Sequence, residues 1–187
     1  MSITLIDTRS RHKFGDKFLK NSINIPFGEE FTYWVKTLVN NENPSMFICE
    51  PNEIEQIGSL LKRIGYFQAV VLPVDVLELT DQYDHIKSID SYDFGFLCQS
   101  AEYTVIDLRR PKEINYKFSN SVNIPLEELN HNVSLFKDDK SYLIYCINGY
   151  RSMIAASILK ANDIQEVYNL ENGIVEVKEL LPEILIH

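Results

Sequence analysis

The segment Cys146-Ile-Asn-Gly-Tyr-Arg-Ser152 holds a nucleophile, a glycine, a permanent cation and a hydroxyl in one short stretch. A β-type run, Tyr142 to Tyr145, precedes it, and residues 151–161 carry apolar side chains at helical spacing with no Gly or Pro. A loop between a strand's C-terminal end and a helix can curl until several backbone N–H groups aim at one point. The helix dipole adds partial positive charge there. Gly149 permits a backbone conformation closed to other residues, Arg151 adds fixed charge, and Ser152 can cap the helix or hydrogen-bond a substrate. In such a setting Cys146 is expected to ionise below the reference value of about 8.5, and the thiolate is the nucleophile. The same cradle can hold the outer sulfur of a persulfide. Cys146 and Arg151 are therefore the expected catalytic residues, and Ile147, Asn148, Gly149, Tyr150 and Ser152 the expected substrate-binding ones.

The elements that must position this loop are written twice. Leu5-Ile-Asp-Thr-Arg9 matches Val105-Ile-Asp-Leu-Arg109, and Asn21-Ser-Ile-Asn-Ile-Pro26 matches Asn120-Ser-Val-Asn-Ile-Pro125. Ser45-Met-Phe-Ile-Cys49 matches Tyr142-Leu-Ile-Tyr-Cys146, and from those cysteines the copies run on without a gap. The period of roughly 100 residues is too long for a solenoid and suits a duplicated domain. Expected domains are 1–84 and 85–187. Short runs such as Ile3 to Ile6 and Tyr103 to Ile106 suit buried strands, and residues 53–64 a helix matching 151–161. Alternation of strand and helix implies α/β architecture, a parallel sheet flanked by helices. Before Asp107 stands an expected strand and helix, Ile86 to Ala101, whereas only six residues precede Asp7, so the first copy is N-terminally shortened. A cut from a longer parent chain and a natural abbreviated start are both open readings.

The first copy has lost the chemistry. Its loop reads Cys49-Glu-Pro-Asn-Glu-Ile-Glu55: Pro51 removes an N–H, Asn52 stands where Gly149 does, and Ile54 and Glu55 replace Arg151 and Ser152. Glu50, Glu53 and Glu55 add negative charge that should raise the pKa of Cys49. Cys49 is expected to be a buried strand-end residue, with a relay thiol as the sharper alternative, and Cys98 is expected in the core. Asp7 and Asp107 are expected to cap the turn after the first strand, and Arg9 and Arg109 to pair with carboxylates. Arg109 lining the pocket mouth is the alternative. Phe27, Phe31 and Trp34 are expected to form one helix face.

Composition narrows the partners. Eighteen Lys+Arg against 27 Asp+Glu give a net charge of −9, which argues against nucleic acid or an anionic membrane. No apolar run reaches the ~18 residues of a bilayer span, and no signal-peptide pattern opens the chain, so the expected compartment is the cytoplasm. Three cysteines with no C-x-x-C pair and four scattered His make neither a disulfide framework nor a metal site.

Cys-x-x-Gly-x-Arg-Ser after a strand, with Val105-Ile-Asp-Leu-Arg109, Asn123-Ile-Pro125 and Tyr168-Asn-Leu-Glu-Asn-Gly-Ile174, resembles the rhodanese family. The resemblance covers nearly all of the second copy and less of the first. It implies two rhodanese-like domains, each with about five parallel strands flanked by helices, and no metal or organic cofactor. It implies a sulfurtransferase in which Cys146 takes sulfane sulfur from a thiol persulfide or thiosulfate and passes it to a thiol acceptor. A Trp often follows the last glycine turn in the family, whereas Val175 to Val177 lie there in this chain. The spacing C-x4-R from Cys146 to Arg151 fits sulfur, while related phosphatases use C-x5-R. Ile147 and Asn148 stand where thiosulfate-specialised relatives carry basic residues, so thiosulfate is expected to be the weaker donor. The degenerate-plus-active pair, with Asn24-Ile-Pro-Phe-Gly-x-x-Phe-x-x-Trp34, resembles the C-terminal part of bacterial fusions to a metallo-β-lactamase-fold persulfide dioxygenase. That implies a persulfide dioxygenase domain as a partner in a longer parent. The alternative function is a non-catalytic pair that docks or positions the catalytic part of a larger sulfide-detoxifying enzyme.

Overall fold

The computed structural model describes residues 3–79 and 81–187. They divide into two compact units, Met1–His85 and Ile86–His187. In the first, the order is β1 (Thr4–Asp7), α1 (Arg11–Asp16), β2 (Phe18–Leu19), β3 (Ser22–Asn24), α2 (Phe31–Leu38), β4 (Ser45–Cys49), α3 (Ile54–Arg63), β5 (Ala69–Pro73) and β6 (Tyr83–Asp84). The second runs β7 (Lys87–Ile89), α4 (Ser91–Leu97), β8 (Tyr103–Asp107), β9 (Lys117–Phe118), β10 (Val122–Asn123) and α5 (Leu129–Asn132). It continues with β11 (Ser141–Tyr145), α6 (Tyr150–Ala161), β12 (Val167–Leu170), α7 (Gly173–Leu180) and β13 (Leu185–Ile186).

Each unit is a parallel α/β sheet with helices against it. The second has the expected five strands, ordered β10-β8-β11-β12-β7. The first has four among the described residues, ordered β3-β1-β4-β5. The difference has a plain cause. In the second unit the strand beside β12 is β7, which precedes β8 together with α4, and among the described residues of the first unit no strand precedes β1. Short antiparallel pairs, β2 with β6 and β9 with β13, close each unit's margin.

Parallel strands covered on both faces read as continuous apolar runs, and β11 (Ser-Tyr-Leu-Ile-Tyr) is buried from Tyr142 to Tyr145. One side of this sheet packs Leu143, Tyr145 and Leu170 with Phe94, Phe118, Ile174 and Val177. On α6, every residue from Ser152 to Leu159 is buried, so this helix lies inside rather than showing one apolar stripe. Ala155, Ala156 and Ser157 are among its buried residues, and Ser157 Oγ donates to the Ile154 carbonyl at 2.6 Å. In the first unit Phe27 lies outside α2, which begins at Phe31. Phe27 reaches the expected aromatic face as a T-shaped partner of Phe31, with centroids 5.3 Å apart.

Candidate active site around Cys146

Both units organise the end of their first long strand identically. Asp107 Oδ1 accepts from the Arg109 N–H at 3.0 Å, closing an Asx turn, while the Arg109 guanidinium returns to the same carboxylate at 2.6 Å and donates to the Tyr116 carbonyl at 2.7 Å. Asn123 Nδ2 donates to the carbonyls of Asp107 and Arg109 and pins the turn. Asp7, Arg9, Lys17 and Asn24 repeat each contact. The carboxylate pairing expected for Arg109 is thus present. The alternative place at a pocket mouth is not, because Arg109 is 1% exposed and its Nε and Nη2 are committed to Asp107 and the Tyr116 carbonyl. Only the second unit adds a tyrosine: the strand register sets Tyr145 beside Asp107, and its hydroxyl donates to Oδ2 at 2.9 Å.

Strand β11 delivers Cys146, fully buried, into a loop that turns at Gly149 with φ +82° and enters α6 at Tyr150. An L-residue with a side chain resists that φ, which is why a glycine stands here. The Cys146 and Ile147 carbonyls accept from the N–H groups of Ile174 and Val175 in the first turn of α7, at 2.9 and 3.3 Å. In a trans peptide N–H and C=O point opposite ways, so the N–H groups of Ile147 and Asn148 face away from α7. The Tyr150 N–H is met by Asn148 Oδ1 at 3.2 Å, so Asn148 braces the loop. Ser152 does not cap the helix: Gly149 holds the cap position, and Ser152 Oγ lies 3.5 Å from Cys146 Sγ as a donor to the sulfur.

Arg151, five residues after Cys146, is not a lone cation. Its two terminal nitrogens donate to the carboxylate oxygens of Glu113 at 2.7 and 3.1 Å. Burial opposes the Arg151 charge, and the Glu113 hydrogen bonds, with the fields of Cys146 and Glu113, outweigh it and raise its pKa. Glu113, in turn, is held below the ordinary carboxylate range, chiefly by the Arg151 hydrogen bond. Glu113 Oε2 also accepts from the Arg110 N–H at 2.7 Å, and Arg110 pairs with Glu127. Sequence reasoning missed Glu113. It also missed the role of Gly173, whose φ is +71° and where an added Cβ would stand 2.2 Å from the Ile147 carbonyl oxygen. Gly173 had a visible signal, since it sits in the Tyr168-Asn-Leu-Glu-Asn-Gly-Ile174 motif.

The Cys49 loop differs in the backbone itself. No positive φ occurs at Asn52, and the chain passes through a 3-10 turn, Pro51–Glu53, before α3. Cys49 is fully buried, and its thiol is pushed up to about 11 by burial, then by Glu53, Glu50 and Asp7. Glu55, expected to contribute, is not among the causes. In the folded chain at about pH 8, Cys49 should therefore resist alkylation by N-ethylmaleimide and react only after denaturation. Peptide mass mapping reads this, and rapid labelling of folded protein would restore the relay thiol. Cys98 is buried in the second core, its Sγ 3.3 Å from the Gly95 carbonyl.

The site is a buried cysteine at the end of a parallel strand, followed by a loop into a helix, with a hydroxyl 3.5 Å from its sulfur. Residues 96–180 match the family model of the Rhodanese-like domain, so this part of the chain is similar to that family. The uncharacterized protein YqhL of Bacillus subtilis is 37% identical over 70 residues, covering 37% of this chain and 56% of that protein. The tRNA uridine(34) hydroxylase of Erwinia tasmaniensis is 26% identical over 106 residues, 48% of this chain and 30% of that protein. The chain thus spans little more than half of one relative and under a third of the other. A rhodanese-related protein of Thermoplasma volcanium is 32% identical, with 51% of this chain and 93% of that one covered and a TM-score of 0.47. The thiosulfate sulfurtransferase of Pseudomonas aeruginosa is 16% identical, with 99% and 40% covered and a TM-score of 0.46. No helix among the described residues is long and apolar enough to cross a membrane.

Proposed function

We propose that the second unit is a sulfurtransferase. The Cys146 thiolate attacks the outer sulfur of a thiol persulfide or the sulfane sulfur of thiosulfate, expels thiol or sulfite, and holds the sulfur as a persulfide. An acceptor thiol then attacks that outer sulfur and frees Cys146. The observation that carries this reading is the loop itself: Cys146 at the strand end, Gly149 in the left-handed conformation, and Ser152 Oγ 3.5 Å from the sulfur. On the same reading the first unit is a degenerate copy. It keeps the Asp–Arg turn and the asparagine clamp and lacks the left-handed turn after its cysteine. The partners are a small sulfur donor and a thiol acceptor in the cytoplasm, with a persulfide dioxygenase domain as the neighbour in a longer chain.

The complete burial of Cys146 favours a second reading, a docking or positioning module, because a donor must displace part of the loop to reach the sulfur. Intact-mass measurement separates the two. Reduced protein treated with glutathione persulfide or thiosulfate should gain the mass of one sulfur atom, and Cys146→Ser should gain none. No gain in the wild-type chain with either donor would leave the docking module.

A further inference from the structure

We propose that Glu113 sets the donor preference of the Cys146 site by cancelling the charge of Arg151, so that thiol persulfides are selected over dianionic donors such as thiosulfate. The inference rests on the sulfurtransferase reading and concerns which donor that site accepts.

Arg151, Arg110 and Arg109 each carry a carboxylate: Arg151 with Glu113, Arg110 with Glu127, and Arg109 with Asp107. Arg151 follows Cys146 within the same loop-to-helix segment, and the two terminal nitrogens that could fork onto an oxyanion are both given to Glu113. The bridge is well held. Glu113 is the third residue of a 3-10 turn opened by Pro111, and the Arg110 N–H fixes Oε2. Side-chain exposure is 12% for Arg151 and 24% for Glu113, so water screens the pair only in part.

The two donors place different charge on this spot. With thiosulfate, Cys–S⁻ attacks the sulfane sulfur, a new S–S bond forms, the old one breaks, and its electron pair leaves on sulfite: Cys–S⁻ + S–SO3²⁻ → Cys–S–S⁻ + SO3²⁻. Three negative charges converge, and the leaving group keeps two of them. A neutral persulfide balances as Cys–S⁻ + RSSH → Cys–S–S⁻ + RSH: the old S–S bond's electron pair leaves on RS⁻, the proton passes from the transferred outer sulfur to that thiolate, and the total charge is one throughout. An arginine free to fork would favour the first reaction, and an arginine neutralised by Glu113 does not.

The first unit supplies an internal contrast. At the same place, the third residue of α1, it has Lys13, and Lys13 Nζ pairs with Glu50 of the Cys49 loop at 2.8 Å. Both units thus bridge this position to the cysteine loop, with the polarity reversed. The sign of the charge at this position is the variable. A bridge that only latches the loop is the competing explanation, and it predicts no dependence on donor charge.

The test compares kcat/KM for thiosulfate and for the uncharged-carrier persulfide of 2-mercaptoethanol, with one acceptor thiol, in the full chain. Wild type should favour the persulfide, and its thiosulfate rate should vary little with salt. Glu113→Gln should raise kcat/KM for thiosulfate about tenfold and change the persulfide value less than about twofold, with a gain that shrinks as salt is added. Glu113→Asp, which keeps the charge, should keep the wild-type preference. Equal losses with both donors in Glu113→Gln would reduce Glu113 to a latch and overturn the proposal. A steep fall of the wild-type thiosulfate rate with salt would overturn it without any variant, because it would reveal an uncompensated cation steering the dianion. If wild type takes sulfur from neither donor, the sulfurtransferase reading itself fails, an outcome distinct from both.

Discussion

Gly173→Ala should destabilise the second unit by roughly 3 kcal/mol or more and deform the Cys146 loop, although the residue touches no substrate. Two costs add. A left-handed backbone at φ +71° costs an alanine about 1–2 kcal/mol. The added Cβ would also stand 2.2 Å from the Ile147 oxygen and 2.4 Å from the Asn148 nitrogen. Those are backbone atoms, so no rotamer change relieves the clash. The loop or α7 must shift, breaking the hydrogen bonds from the Ile174 and Val175 N–H groups that tether the Cys146 and Ile147 carbonyls. Sulfur uptake at Cys146 should fall with it. Gly28→Ala is the control, because its Cβ would meet nothing within 4 Å and the change should stay within about 0.5 kcal/mol. Peptide-resolved hydrogen exchange over residues 141–177 reads the effect. Trp34, the one tryptophan of the chain, lies in the first unit, and its fluorescence reports on that unit. Unchanged exchange in Gly173→Ala would show slack between α7 and the loop and refute the tether.

What the sequence made legible was whatever local pattern controls. The apolar run of β11 and the Gly149 turn reached the structure within a residue or two of their expected bounds, because strand burial and left-handed glycine are local properties. The Asp–Arg turns were legible for the same reason, since donor and acceptor lie two residues apart. What stayed hidden depends on contacts over long separations. Glu113 and Arg151 are 38 residues apart, and a glutamate two residues after a proline reads equally well as an ordinary first-turn carboxylate. Glu113 does both jobs, one oxygen facing the Arg110 N–H and Arg151 at once. Ser152 illustrates the opposite limit. Its position near the helix start was plain, but whether its hydroxyl turns to the backbone or to the sulfur is decided by where β11 leaves Cys146. The four strands of the first sheet were legible by counting: only six residues precede Asp7, whereas the strand and helix expected over 86–101 are present as β7 and α4.

Asp107→Asn should cost the second unit about 3–5 kcal/mol, because it leaves the Arg109 guanidinium buried without its counter-charge. Arg109 is 1% exposed and cannot swing into water, and the carboxylate serves the Arg109 N–H, the guanidinium and the Tyr145 hydroxyl together. Tyr145→Phe removes only the last of these and should cost about 1 kcal/mol. Asp7→Asn in the first unit makes a sharper comparison: the same fork is present, but Ile48 stands where the second unit has Tyr145, so the carboxylate there serves one group fewer. Urea unfolding of the single variants, with the double variant Asp107→Leu/Arg109→Met, tests the electrostatic cause. A buried pair predicts that the double variant is more stable than Asp107→Asn alone, whereas additive losses would assign the cost to packing. The effect should also reach the chemistry. The Asp107–Arg109 turn fixes where the chain leaves β8, and four residues after Arg109 that chain presents Glu113 to Arg151. Loosening the turn should therefore weaken the charge cancellation at the Cys146 loop and move donor preference toward thiosulfate in the protein that remains folded, as Glu113→Gln does directly. Donor preference unchanged in folded Asp107→Asn would show that the 3-10 turn at Pro111–Glu113 holds its place independently of the fork beneath it.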